Sequence, residues 1–171
     1  LAKKIGLEKM IRICLLGGSV IYFVLFGLHM IMDVNPYVHI IMNSLGMGAA
    51  SVSIYMQWGL VGEAIDYNDM VTGKRTEGSI YGTFNLSRRV GQTVGNSFAV
   101  FMLGVIGYNG ALVDQGLPQA PGTVLGIKAM CVLIPAIFIL GSWAAFKFVW
   151  NMSPETRAKM AAHKAAKNEQ K

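Results

Sequence analysis

The sequence predicts an all-α membrane protein with four transmembrane helices, and three observations predict it. Hydrophobic residues make up 53% of the chain against 14% charged, with a mean hydropathy of +0.46, a balance that belongs to a polypeptide dissolved largely in lipid. Four apolar runs are each long enough to cross a hydrocarbon core about 30 Å thick, which takes about 20 residues at 1.5 Å apiece. Among the connecting segments, lysine and arginine occur only in alternate ones, the asymmetry that orients membrane helices.

Taken in order, residues 1–12 read as a cytoplasmic loop carrying Lys3, Lys4, Lys9 and Arg12. The first span, 13–32, has no charged residue, and Asp33, Asn35 and Pro36 close it with a turn. The second, 37–62, is rich in Gly, Ala and Ser between Gly46 and Ser53. Residues 63–79, with Asp66, Asp69, Lys74, Arg75 and Glu77, are too charged to span and too short to fold as a domain, so they read as a cytoplasmic loop. The third span, 80–108, is interrupted only by Arg88 and Arg89, and Gly110, Gly116, Pro118, Pro121 and Gly122 make the next segment turn-rich. The fourth, 123–150, contains Pro135, which should kink it. Residues 151–171 read as a cytoplasmic tail forming a surface helix from about Ser153 and Pro154.

One set of connections collects the lysines and arginines, including Lys74, Arg75, Lys147, Arg157, Lys159, Lys164, Lys167 and Lys171, while the two opposite loops contain none. Both termini are therefore expected in the cytoplasm, with the protein in the inner (plasma) membrane. The net charge of +6 is explained by this topology and by anionic headgroups, so no nucleic-acid partner is expected. Cys14 and Cys131 lie inside apolar runs without metal-ligand spacing, and no metal or cofactor site is expected. The chain also lacks the zinc-hydrolase, nucleophile-elbow and phosphate-loop signatures, which argues against an enzyme. It opens Leu-Ala-Lys-Lys, with no cleavage pattern after the first run, and is expected to be the carboxy-terminal part of something larger.

Chemistry concentrates in the third span, because charged groups in a membrane helix cost a few kcal/mol each on insertion scales. At 100° per residue, Asn85, Arg88, Arg89, Gln92 and Asn96 share an arc of about 100°, forming one polar stripe that should face water or a polar cavity. Arg88 can reach the interface by snorkelling or join the stripe, and both readings stand open. Arg89 belongs with the deeper amides, which snorkelling does not explain. Beside the stripe, Thr83, Ser87, Gly91 and Gly95 recur every four residues as a close-packing face, with Gly46, Gly48, Ala49, Ala50 and Ser53 of the second span as an expected partner. His29 and His39, near the outer ends of the first two spans, lack a second ligand at helical spacing and read as separate interface histidines.

The segments Gly62-Glu63-Ala64-Ile65-Asp66-Tyr67-Asn68-Asp69, Thr72-Gly73-Lys74-Arg75-Thr76-Glu77-Gly78 and Ser87-Arg88-Arg89-Val90-Gly91-Gln92 resemble the glycoside-pentoside-hexuronide:cation symporter family. The resemblance implies a twelve-helix carrier of the major facilitator type, of which this chain would supply helices nine to twelve. It implies cation-coupled (Na⁺ or H⁺) symport of a sugar, glycoside or hexuronide by alternating access, with the coupling ion bound mainly by residues outside this chain and no other cofactor. By position, Asp66, Asp69, Arg75 and Glu77 resemble the family's cytoplasmic charges, which make and break ion pairs as the two halves rock. Arg89 stands where the family has Lys, and Asp69 where it has Glu. The partners implied are the sugar or sugar acid, the bilayer and the missing amino-terminal helices. The alternative is a non-transporting scaffold or accessory subunit whose arginine stripe binds lipid headgroups or a partner helix.

Overall fold

The computed structural model describes residues 6–150 and 152–169, and every regular element among them is helical. Lys3, Lys4 and Lys171 lie outside the described residues. Helix α1 is Leu7–Ile31, α2 Pro36–Thr72, α3 Glu77–Val105, α4 the short Gly110–Asp114 and α5 Pro121–Lys128. A π-helical turn, Ala129–Leu133, joins α5 directly to α6, Ile134–Val149, and α7 is Pro154–Glu169.

The boundaries follow local chemistry. Pro36 opens α2 with its ring angle preset, and the Asn35 side chain accepts the Tyr37 N–H at 2.9 Å. Gly73 ends it in the left-handed region (φ 69°), its N–H bonded to the Asp69 carbonyl. The π turn sits immediately before Pro135, which has no N–H to give and whose ring crowds the preceding turn. Widening that turn to the i→i+5 pattern absorbs the misfit within the helix.

Two expected boundaries are corrected. Residues 7–12 belong to α1, and 63–72 continue α2, so only Gly73–Thr76 remain between α2 and α3. Charge keeps these residues out of a hydrocarbon core but does not oppose helix. At 37 residues α2 is about 55 Å long, well beyond membrane thickness, so one end stands clear of the apolar slab.

Among the described residues, three helical stretches are long and apolar enough to cross a membrane: α1, α2 and the continuous Pro121–Val149. The third expected span is the helix α3, but its polar stripe keeps it below that threshold. The core lies between α1, α2 and the π-turn–α6 region, where Tyr22, Leu25, Val132 and Ala136 are buried against Phe26, Val34, Met42 and Ile139. Close backbone approach makes it possible. A Cβ on Gly18 would sit 3.2 Å from the Gly46 carbonyl oxygen, and one on Gly46 only 2.9 Å from the Tyr22 ring. Ser19, fully buried, donates to the Ala136 carbonyl at 3.0 Å and ties α1 to α6. The small-residue patch of α2 thus packs on α1 rather than on α3.

Helix α3 buries none of its residues. Near one end Tyr81 and Phe84 meet Trp58 of α2, with ring centroids at 6.2 and 5.2 Å. At the other, Thr123 donates to the Ile106 carbonyl at 2.9 Å, and Ile106 packs on Gly126. Between these anchors lies a cavity of about 450 Å³, walled by Gly91, Gly95 and Phe98 on one side and Met130, Pro135 and Phe138 on the other. The expected small-residue face is therefore turned toward α6 across a gap.

Candidate functional site: a polar helix face and a ring of charges

The stripe on α3 is open. Asn85, Arg88, Arg89, Gln92 and Asn96 are all exposed, and none of them lines the cavity beneath Gly91 and Gly95. The one directed contact is Arg88, whose guanidinium lies 5.8 Å from the centroid of the Trp58 ring, a cation–π arrangement. Helix geometry alone brings the five polar groups to one side, and no other element among the described residues closes over them. What such a face can do is present two permanent cations and three amides to a polar partner along about three turns of helix.

The second constellation lies at the end of the bundle where α2 overshoots. Glu63, Asp66 and Asp69 recur every three residues on α2, and Arg157, Lys164 and Lys167 lie on one face of α7. Ser153 starts α7, its hydroxyl accepting the Thr156 N–H at 3.1 Å. Arg157 bonds Glu63 at 3.0 Å and Glu8 of α1 at 3.3 Å, Lys164 bonds Asp66 at 2.9 Å, and Lys167 reaches both Asp69 oxygens at 2.7 and 2.8 Å. The partners ascend together along both helices, so α7 runs parallel to the end of α2. Met160 of α7, buried, lies among these charges. The expected tail helix is thus docked along one face.

From the connecting turn, Arg75 pairs with Glu77 and approaches Asp66 at 3.5 Å. Asn68 holds the turn by donating to the Lys74 carbonyl and to Thr76 at 3.0 and 2.9 Å. Asp66, Asp69 and Arg75 therefore meet around a small cavity of about 190 Å³, closed by His163, Lys164 and Lys167, with Glu77 on its outer side through Arg75. The hydrogen bond from Lys167 holds the Asp69 carboxyl below the ordinary carboxylate range. Burial opposes this, while the charges of Lys167, His163 and Arg75 assist it.

Sequence reasoning singled out Asp66, Asp69, Arg75 and Glu77 around this turn but missed the partners of Asp66 and Asp69 on α7. The 3-4-3 spacing of Arg157, Met160, Lys164 and Lys167 was the available signal. It also missed that His29 and His39 face each other: Nε2 of the first and Nδ1 of the second lie 2.9 Å apart, making one hydrogen-bonded pair instead of two separate interface histidines. Helical spacing is blind to partners on different helices. No group of three or more potential metal ligands gathers among the described residues.

The chain is also similar in sequence to known proteins. The chain is 30% identical over 147 residues to the glucuronide carrier protein homolog of Escherichia coli, covering 86% of this chain and 30% of the relative. It is 30% identical over 126 residues to an uncharacterized symporter of Bacillus subtilis, covering 74% and 26%. A protein assigned as a sulfoquinovose importer in Salmonella typhimurium is 27% identical over 120 residues, covering 70% and 24%. The chain thus spans less than a third of the length of these relatives. No solved structure matches it significantly. Residues 1–149 match the family model described as MFS/sugar transport protein, which agrees with the likeness read in the segments around Asp66, Arg75 and Arg89. By that match this chain belongs to the MFS/sugar transport family, a family of membrane transporters rather than enzymes.

Proposed function

We propose that the chain forms the last four helices of a twelve-helix, cation-coupled carrier that moves an anionic sugar by alternating access, with both termini in the cytoplasm. The observation that carries this reading is the open stripe of Asn85, Arg88, Arg89, Gln92 and Asn96 on α3. Two arginines on a helix between apolar neighbours are tolerated when they face an aqueous route or a polar ligand. In carriers of this type the substrate site lies near the midplane between two halves. On this reading α3 is a spanning helix, the stripe lines the route, and the helices that enclose it belong to a part of the protein absent from this chain. Those helices also hold the coupling Na⁺ or H⁺.

The substrates named for the relatives, a glucuronide and sulfoquinovose, each carry an acidic group on a sugar. The planar fork of Arg89 suits a carboxylate or sulfonate through paired hydrogen bonds, and the amides suit hydroxyls. Asp66, Asp69, Arg75 and Glu77 act as gating charges, exchanging partners as the halves rock. In the full-length protein, Arg89→Ala should reduce uptake of a sugar acid to background while membrane expression stays at the parental level. Arg89→Lys, which keeps charge but loses the fork, should retain a fraction of it. Undiminished uptake by Arg89→Ala would remove this residue from the mechanism.

A further inference from the structure

At the charged end of the bundle a separate cavity of about 480 Å³ opens between the start of α1, the end of α6 and the start of α7. Its wall carries four cations, Lys9, Arg12, Lys147 and Arg157, against one carboxylate, Glu8. Glu8 is already shared by Arg12 and Arg157. Lys9 and Lys147 have no carboxylate in ion-pair range among the described residues. The Lys147 ammonium lies 4.8 Å from the Trp143 ring centroid and 5.5 Å from that of Phe148.

Two long helices also begin here, α1 at Gly6 with no side-chain cap and α7 at Pro154, adding the positive ends of their dipoles. The complement of four cations and two helix amino termini is a compact anion with several oxygens, as a phosphate group is.

Position selects the source of that phosphate. The cavity adjoins the end of a helix apolar enough to cross a membrane, next to Trp143, Trp150 and the outward-facing Phe148 and Val149, which are 77% and 81% exposed. Aromatic rings and lysines at a span end mark headgroup depth, and the bare apolar side chains beside them suit acyl chains. We propose that this cavity binds the phosphate of an anionic phospholipid headgroup, with Lys9 and Lys147 closing on it beside Arg12 and Arg157.

The test is native mass spectrometry of the full-length protein released from phosphatidylcholine nanodiscs doped with phosphatidylglycerol. The parent should retain phosphatidylglycerol, and the Lys9→Gln/Lys147→Gln double variant should hold it about thirtyfold more weakly, as loss of two headgroup cations predicts. Both lysines are exposed, so the fold should survive, and the Lys9→Arg/Lys147→Arg variant should restore retention. Lys159→Gln, which removes an α7 cation that pairs with Glu155 outside the cavity, should leave retention unchanged. Equal retention by the parent and the Lys9→Gln/Lys147→Gln variant overturns the site. Displacement of the lipid by inorganic phosphate at comparable concentration overturns the lipid assignment in favour of a soluble phosphate.

Discussion

Arg89 and Gly46 differ in how much of their setting the sequence records. Arg89 was legible from sequence, because a cation inside an apolar run carries its own cost and so its own signal. Gly46 lay within a legible small-residue patch, but its neighbour did not: nothing in the spacing says that the Tyr22 ring lies where a Cβ would go. Gly46→Ala should therefore destabilise the protein by about 1–3 kcal/mol, the usual cost of overpacking, since Tyr22 is buried and cannot swing away. Gly48→Ala, two residues on, meets open space and should be neutral or slightly stabilising, because Ala is the better helix former. Thermal unfolding of the two variants in one detergent separates these outcomes.

Among the elements, α7 departs most from its expected role. Its amphipathic spacing and its start at Ser153 were readable, whereas its docking partner depended on where α2 ends. Only because α2 runs on to Thr72 do Glu63, Asp66 and Asp69 form a ladder that Arg157, Lys164 and Lys167 can climb. The Lys164–Asp66 pair stays open to water, where ion pairs are individually weak and screened by salt, whereas the Asp69 carboxylate, 7% exposed, is the buried anchor of the docking. Asp69 gives it a pH signature. Its carboxyl is held below the ordinary range by Lys167, so its contribution is complete above the unfolded carboxylate value, about pH 4, and is lost as pH falls through the lower folded value. Hydrogen exchange of the α7 amides should accordingly be slow at neutral pH and accelerate, after correction for intrinsic rates, only in acid. Asp69→Asn should exchange faster at neutral pH and show a weaker acid response. An α7 equally protected in both proteins across this range would show that the ladder does not hold it.

For the molecule as a whole, the consequential feature is a helix standing against its neighbours at both ends and bare along its middle. If the stripe on α3 lines an aqueous route, single cysteines replacing Asn85, Arg89, Gln92 and Asn96 in the full-length protein should react with a membrane-impermeant thiol reagent. Added substrate should slow the reaction. A cysteine at Val94, on the cavity side of α3, should stay unreactive. Shielding of all four stripe positions, with and without substrate, would exclude an aqueous route along this face.

Sequence by itself determined the helical membrane class of the protein, the clustering of polar residues on one side of α3 and the presence of the charges around the connecting turn. Each of these rests on local composition or on one helix's own period, which the chain carries in order. Tertiary structure alone decided that the small patch of α2 serves α1, that His29 and His39 form a pair, that α7 is held by the end of α2, and that Lys9, Arg12, Lys147 and Arg157 share one cavity. These depend on which faces of separate helices meet, a choice set by packing between elements far apart in the chain, where no periodicity within one element records the partner.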